Sequence, residues 1–228
     1  MIIRGLQRLT LLDFPGKIAC TVFTGGCNLR CPFCHNGGLV RGEGGADIST
    51  EELLAFLDSR VGRLEGVCVS GGEPTLQPDL ADLLRGIKSR GFSVKLDTNG
   101  TNPDMLSRLI DKGLVDYVAM DIKNSPEKYL ETSGSNEKSI LDKVKQSATI
   151  LMQGSVDFEF RTTLVRELHD ENDLISIGQW LSGDEKFFLQ TYRDEGDLLV
   201  GGFTSYNNEE TEQLLATLRR FVPNAQIR

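Results

Sequence analysis

The chain has 228 residues, 39% apolar and 25% charged, with a formal net charge of −8. These proportions describe a folded domain with a substantial core, and they exclude a disordered chain or a membrane span of about 20 apolar residues. The acidic balance argues against a nucleic-acid partner, which needs a basic face.

The opening MIIRGLQRLTLLDFPG lacks the basic start, apolar run and small-residue cleavage site of a signal peptide. The protein is therefore expected in the cytoplasm, where clustered thiols stay reduced and serve metals or chemistry. Residues 17–23 (KIACTVF), rich in β-branched side chains, predict the first strand. The loop GGCNLRCPFCHN follows, and Ser49-Thr50-Glu51-Glu52 then caps a helix with Leu53, Leu54 and Leu57 on one face. Further strands are expected at 67–69, 92–97, 115–122, 158–165 and 186–190, each followed by a helix, at 78–90, 103–112, 139–153, 171–181 and 209–221. No linker or low-complexity stretch interrupts this series. The chain reads as one domain over 1–228, with a core of 17–193 and a C-terminal segment and helix over 194–228.

Six successive βα units call for an α/β fold with parallel strands inside and helices outside. Right-handed crossovers then give either a doubly wound sheet or a partial TIM-type barrel, and the strands alone do not separate the two. In both, function gathers where the strands end. The unusual segments all lie there: GGCNLRCPFCHN, SGGEP, DTNG, DIK, Arg161-Thr162-Thr163 and Gln190-Thr191-Tyr192-Arg193.

Cys27, Cys31 and Cys34 have the spacing C-x3-C-x2-C. A cubane 4Fe–4S cluster takes one thiolate per iron, so three leave one iron open to a chelating ligand. The alternative is a zinc site completed by Cys20, Cys68 or His35, although zinc sites favour two ligand pairs and no second pair is present. Cys20 and Cys68, each within an apolar strand, read as core residues. His35 suits a local hydrogen bond as well as a cofactor contact, and His169 reads as an exposed residue at a helix entry. In Ser70-Gly71-Gly72-Glu73-Pro74 the glycines let backbone approach a ligand, while Glu73 can accept from an ammonium.

The motif CNLRCPFCHN, with aromatic Phe33 before the third cysteine, resembles that of radical S-adenosylmethionine enzymes. The resemblance implies a partial barrel, a 4Fe–4S cluster on Cys27, Cys31 and Cys34, and S-adenosylmethionine chelating the open iron. It also implies that Gly71, Gly72 and Glu73 hold the cofactor's amino group. Leu96-Asp97-Thr98-Asn99-Gly100, Met120-Asp121-Ile122-Lys123 and the turn Asp13-Phe14-Pro15-Gly16 are similar to segments of glycyl-radical-enzyme activases. Carried over, Asp97, Thr98, Asp121 and the Ala119 carbonyl would bind a monovalent cation, with Lys123 near the cofactor. Arg161 would meet cofactor or substrate peptide. Arg193 aligns where activases of pyruvate formate-lyase carry a histidine, which leaves the adenosine contact there open.

Within that branch LTLLDFPGKIACTVFTGGCNLRCPFCHN is most similar to activating proteins of anaerobic ribonucleoside-triphosphate reductase. The implied reaction is reductive cleavage of S-adenosylmethionine, with flavodoxin or ferredoxin as electron donor, to a 5′-deoxyadenosyl radical that takes hydrogen from a glycine of that reductase. Rival readings are an activase of pyruvate formate-lyase or another glycyl-radical enzyme, a radical enzyme acting on a small molecule, and a zinc-bearing adaptor of the same fold. The glycine-bearing stretch 195–206 reads either as part of the partner surface or as a plain connector.

Overall fold

The apolar runs form one eight-stranded sheet in the computed structural model, which describes residues 1–43, 47–183 and 186–228. The strands are β1 (Ile3–Thr10), β2 (Ala19–Thr24), β3 (Gly66–Gly71), β4 (Ser93–Thr98), β5 (Tyr117–Asp121), β6 (Asp157–Leu164), β7 (Phe187–Thr191) and β8 (Gln226–Ile227). The helices are α1 (Gly37–Arg41), α2 (Thr50–Asp58), α3 (Leu80–Lys88), α4 (Pro103–Asp111), α5 (Tyr129–Ser133), α6 (Ile140–Met152), α7 (Glu171–Trp180) and α8 (Asn208–Leu218). The expected α2 cap is present as a capping box between Ser49 and Glu52.

The strands lie in chain order, β1 to β8, and every neighbouring pair is parallel except β1 with β2. This order separates the two architectures that the sequence left open. A doubly wound sheet reverses its strand order at a switch point. Here each crossover steps the same way, so right-handed connections put the helices on one face, as in a partial barrel. β1 and β8 are the two edges of the described sheet. Among the described residues no helix is long and apolar enough to cross a membrane.

Four elements were not expected from sequence. β1 carries no apolar alternation, being buried at Ile3 and Thr10 and in part from Arg4 to Leu6. The short α1 and α5 and the two-residue β8 lack enough periodicity to announce themselves.

Alternate strand residues point to opposite faces. One set, including Val67, Val69, Val94, Leu96, Val118 and Met120, is wholly buried and joins the helix residues Leu53, Leu84, Leu109 and Val144 in the core. Each such burial is worth about 1.5–3 kcal/mol, so this face carries the stability. The other set is polar: Cys68, Ser70, Lys95, Asp97, Tyr117, Asp121, Glu159 and Arg161. Buried ion pairs add little net stability, so a polar interior of this kind points to function at one end of the sheet.

The opposite end is closed by Arg228, whose guanidinium donates to both oxygens of the fully buried Glu159 at 2.8 and 3.1 Å. Tyr117 Oη donates to Oε2 of the same carboxylate at 2.8 Å. Arg228→Ala should leave that carboxylate with one strong donor and lower stability by about 2 kcal/mol. A thermal melt should fall by roughly 4–8 °C. Adding Glu159→Gln should recover part of the loss, and an unchanged melt in the single variant would contradict the assignment.

Candidate active site

The C-terminal ends of β2 to β7 surround a cavity of about 240 Å³. Its walls include thirteen of the residues that the sequence singled out: Cys27, Cys31, Phe33, Cys34, His35, Gly71, Gly72, Glu73, Asp97, Thr98, Asp121, Lys123 and Arg161. The structure thus gathers five separated segments around one space, and Gln190 adds the sixth.

The cysteine loop leaves β2 and is held by backbone contacts on three sides. Arg30 N–H donates to Ser133 O at 2.9 Å, and a Cβ on Gly134 would lie 2.3 Å from Arg30 O, so the end of α5 packs directly on the loop. All five cysteines are free thiols. Burial pushes the Cys27 thiol up and the Cys31 thiol to about 12. Among the described residues no three His, Cys, Asp or Glu side chains converge tightly enough to hold a single metal ion. The three thiols instead stand along the wall of this cavity. Cys20 and Cys68 are fully buried within β2 and β3 and do not line it.

The SGGEP turn abuts this loop through its backbone. Glu73 N–H donates to Gly26 O at 2.8 Å, and a Cβ on Gly72 would lie 1.9 Å from that oxygen. Gly71, at φ +120°, sits where only glycine is comfortable. Glu73 is fastened within the protein: Oε1 accepts from Thr75 N–H, Thr75 Oγ1 and Thr98 Oγ1, and Oε2 accepts from Asn99 N–H at 2.6 Å. Burial raises its carboxyl above the usual range, although these donors pull the other way. In this arrangement the glutamate joins the glycine turn to the β4 loop, and its oxygens are already engaged before any ammonium arrives.

The same cavity carries a charged wall. Asp97 pairs with Lys95 and receives Ser70 Oγ at 3.0 Å, and Asp121 pairs with Lys123 at 3.0 Å. Arg161 stands between them, with Nε 2.9 Å from Asp121 and Nη1 3.5 Å from Asp97. A guanidinium thus stands between the two neighbouring carboxylates. Burial alone would raise both carboxyls, but Arg161 with Lys95 holds Asp97 below its usual range, and Arg161 with Lys123 holds Asp121 down to about 2. Burial opposes charge on Lys123 and Arg161, yet the carboxylates keep both strongly protonated.

Ala119, Arg193 and His169 stand outside the cavity wall. Ala119 is fully buried in β5 and does not line the cavity. Arg193 is exposed and also lies outside the cavity wall. Gln190 and Thr163, register partners on β7 and β6, occupy that side. His169 is 1% exposed rather than a surface residue. Its ring sits edge-on to Phe33, with Nε2 2.9 Å from Lys123 O and Nδ1 facing the backbone of Val165. Asn36, Ser70 and Asn99 also line the cavity. They sit inside the quoted motifs, and their side-chain roles had no separate signal.

The stretch after β7 straps the cysteine loop. Val200 N–H donates to Pro32 O, Leu199 N–H to Cys34 O and Gly37 N–H to Asp197 O. His35 Nδ1 lies 2.9 Å from Glu195 O, and Arg41 forms a two-pronged pair with Asp197 at 2.8 and 2.9 Å. Three reduced thiols, an adjacent glycine turn and a wall of paired charges fit a three-cysteine iron–sulfur cluster with a zwitterionic amino-acid ligand beside it.

The profile of the radical SAM superfamily matches residues 21–174. A provisionally named glycyl-radical enzyme activating enzyme of Methanocaldococcus jannaschii is 31% identical, over 100% of this chain and 95% of its own. The pyruvate formate-lyase-activating enzyme of Clostridium pasteurianum is 30% identical over 85% of this chain and 83% of its own. Among solved structures, a radical SAM methyltransferase from Sphaerobacter thermophilus superposes with a TM-score of 0.76 at 15% identity, covering 96% of this chain and 68% of its own. Streptococcus suis SuiB bound to S-adenosylmethionine gives 0.70 at 14% identity, covering 89% of this chain and 48% of its own. At such identities the structural likeness speaks for the fold.

Proposed function

This chain belongs to the radical S-adenosylmethionine superfamily, in the branch of glycyl-radical-enzyme activating enzymes, and from that premise we propose that it acts on a glycine of an anaerobic ribonucleoside-triphosphate reductase. The observation that carries the reading is the single cavity at the strand ends, where three reduced cysteines face the Asp97–Arg161–Asp121 wall. When bound, a 4Fe–4S cluster and S-adenosylmethionine supply the single-electron chemistry that removes a hydrogen atom from a glycine Cα.

The chain's own residues bind, orient and exclude water. Cys27, Cys31 and Cys34 would hold three irons and leave the fourth for the cofactor's amino and carboxylate groups. The backbone of Gly71 and Gly72 gives close approach on one side, and Lys123, Asp121, Arg161 and Asp97 set the polarity on the other. Leu29, Phe33 and Val40 line the cavity with apolar surface, which keeps water from the reacting groups. The sheet's two edges leave a side through which a glycine-bearing loop of a large partner can enter. Flavodoxin or ferredoxin is the proposed electron donor, and the cytoplasm is the proposed setting, where clustered thiols stay reduced.

One feature supports the reductase as target, the stretch from Leu9 to Asn36; the absence of cysteine between Cys34 and Cys68 sets the chain apart only from activases that carry additional ferredoxin-like clusters. The likeness to the pyruvate formate-lyase-activating enzyme sustains a second reading with that lyase as target. Reconstituted protein, reduced under strict anaerobiosis, should give a 4Fe–4S EPR signal that changes shape on adding S-adenosylmethionine. Adding each purified glycyl-radical enzyme in turn should yield a radical doublet with the reductase. A doublet with the lyase alone would transfer the assignment to it, and a cluster indifferent to S-adenosylmethionine would end both readings.

A further inference from the structure

Asn99 has a hydrogen-bond inventory that leaves little freedom in how it is placed. It is 6% exposed. Its Oδ1 accepts from Thr101 N–H at 3.0 Å and from Thr101 Oγ1 at 2.6 Å. An amide nitrogen in that position would face a backbone N–H, so the orientation of the side chain is fixed by the network. Its two N–H bonds must then point the other way. One meets Asn28 Oδ1 at 3.1 Å, and the other meets Cys27 Sγ at 3.8 Å, a length suited to the larger radius of sulfur. Asn28 Nδ2 closes a ring by donating to Thr101 Oγ1 at 2.9 Å. The main chain of Asn99 is pinned as well, through its N–H to Glu73.

The three cysteines differ in this respect. Cys27 Sγ is approached by two N–H donors, Asn99 Nδ2 and Leu29 N, the latter at 3.4 Å. Cys31 Sγ instead lies 3.7 Å from an acceptor, Ser133 O. A thiolate gains more from an N–H donor than a thiol does, because the bond becomes charge-assisted. Hydrogen bonds to ligand sulfurs also raise a cluster's reduction potential, since they favour the form with one more electron.

Resting on the cluster reading above, we propose that Asn99 donates a hydrogen bond to the Cys27 thiolate in the cluster-bound protein and thereby raises the potential at which the cluster accepts its electron. The residue is a positioning and tuning group: it touches a ligand sulfur through a side chain that the Thr101 and Asn28 ring holds in place. Its effect is separate from that of Leu29, whose donor is main chain and survives any side-chain change.

The test is a dithionite redox titration of the reconstituted protein, followed by EPR, in wild type, Asn99→Asp and Asn99→Ala. Aspartate keeps the size and the acceptor for Thr101 but replaces the N–H with an oxygen. Alanine removes the donor without adding charge. At a fixed potential near the wild-type midpoint, the reduced-to-oxidised ratio in Asn99→Asp should fall about tenfold, which is about 59 mV for one electron. Asn99→Ala should shift the same way by less, with iron content close to wild type and a melt a few degrees lower, because Thr101 N–H and Oγ1 lose their acceptor. Midpoints equal to wild type in both fully loaded variants would overturn the proposal, because a merely structural role moves loading or melting and leaves the potential alone. If neither variant holds a cluster, wild type labelled with 15N-asparagine decides: pulsed EPR of the reduced cluster should show coupling to an asparagine nitrogen, and its absence would overturn the donor assignment. A wild-type protein that binds no cluster at all would instead overturn the underlying reading, an outcome told apart at the first spectrum.

Discussion

Cys31→Ala is expected to give a folded protein that retains no cluster and no S-adenosylmethionine cleavage. Cys31 is the middle cysteine of the loop, and its sulfur is buried, 3.7 Å from Ser133 O. Its loss removes one of three thiolates and should take bound iron from about four per chain to near zero. The loop keeps its shape by other means: the strap through Asp197, Leu199 and Val200, the Arg30 bond to Ser133 and the Gly26 bond from Glu73 are all backbone contacts. Melting of the iron-free variant should therefore stay close to that of iron-free wild type. Cys20→Ala and Cys68→Ala serve as controls, because both thiols lie outside the cavity, with burial pushing Cys20 to about 12 and Cys68 well up. Iron and sulfide analysis after anaerobic reconstitution checks all three. Full iron in Cys31→Ala, or iron lost from Cys68→Ala, would mean that the ligand set has been misread.

The elements that the sequence made legible are those in which local pattern and tertiary need agree. The capping box at Ser49 and Glu52, the Pro103 start of α4 and the β-branched run in β2 each carry their own local cause. The motif-bearing turns were legible because glycine, cysteine and acidic residues at strand ends have few structural uses. What stayed hidden depends on contacts distant in sequence. β1 pairs with β2 although its own residues show no alternation, so only the partner strand defines it. His169 sits in a polar segment, yet Phe33 and the Lys123 carbonyl surround it from 136 and 46 positions away. The strap joins Glu195 to His35 across 160 residues, and nothing in EGDLLVGG announces which loop it will meet. Arg161 was legible as a site residue, but its place between two carboxylates needed β4, β5 and β6 side by side.

That placement underlies the second large effect. Arg161→Ala should weaken S-adenosylmethionine binding at least about tenfold, or ~1.4 kcal/mol, with the cluster still loaded. The cavity is lined by three carboxylates, Glu73, Asp97 and Asp121, and by two cations, Lys123 and Arg161, with Lys95 buried behind Asp97. Removing the guanidinium leaves a net negative surface facing the carboxylate of an incoming amino-acid group. It also frees Asp121 from the interaction that, with Lys123, holds its carboxyl down to about 2. Arg161→Lys restores the charge but not the fork that reaches both aspartates, so its affinity should fall between the two. The same comparison decides whether the carboxylate pair takes a separate monovalent cation. If the guanidinium fills that role, wild-type affinity should not change when sodium and potassium are replaced by choline, while Arg161→Ala should become dependent on the small ions. Anaerobic equilibrium dialysis measures all of these. Wild-type binding that collapses in choline would show that an ion sits with the aspartates alongside Arg161. Unchanged affinity in Arg161→Ala would mean that the wall does not face the cofactor at all.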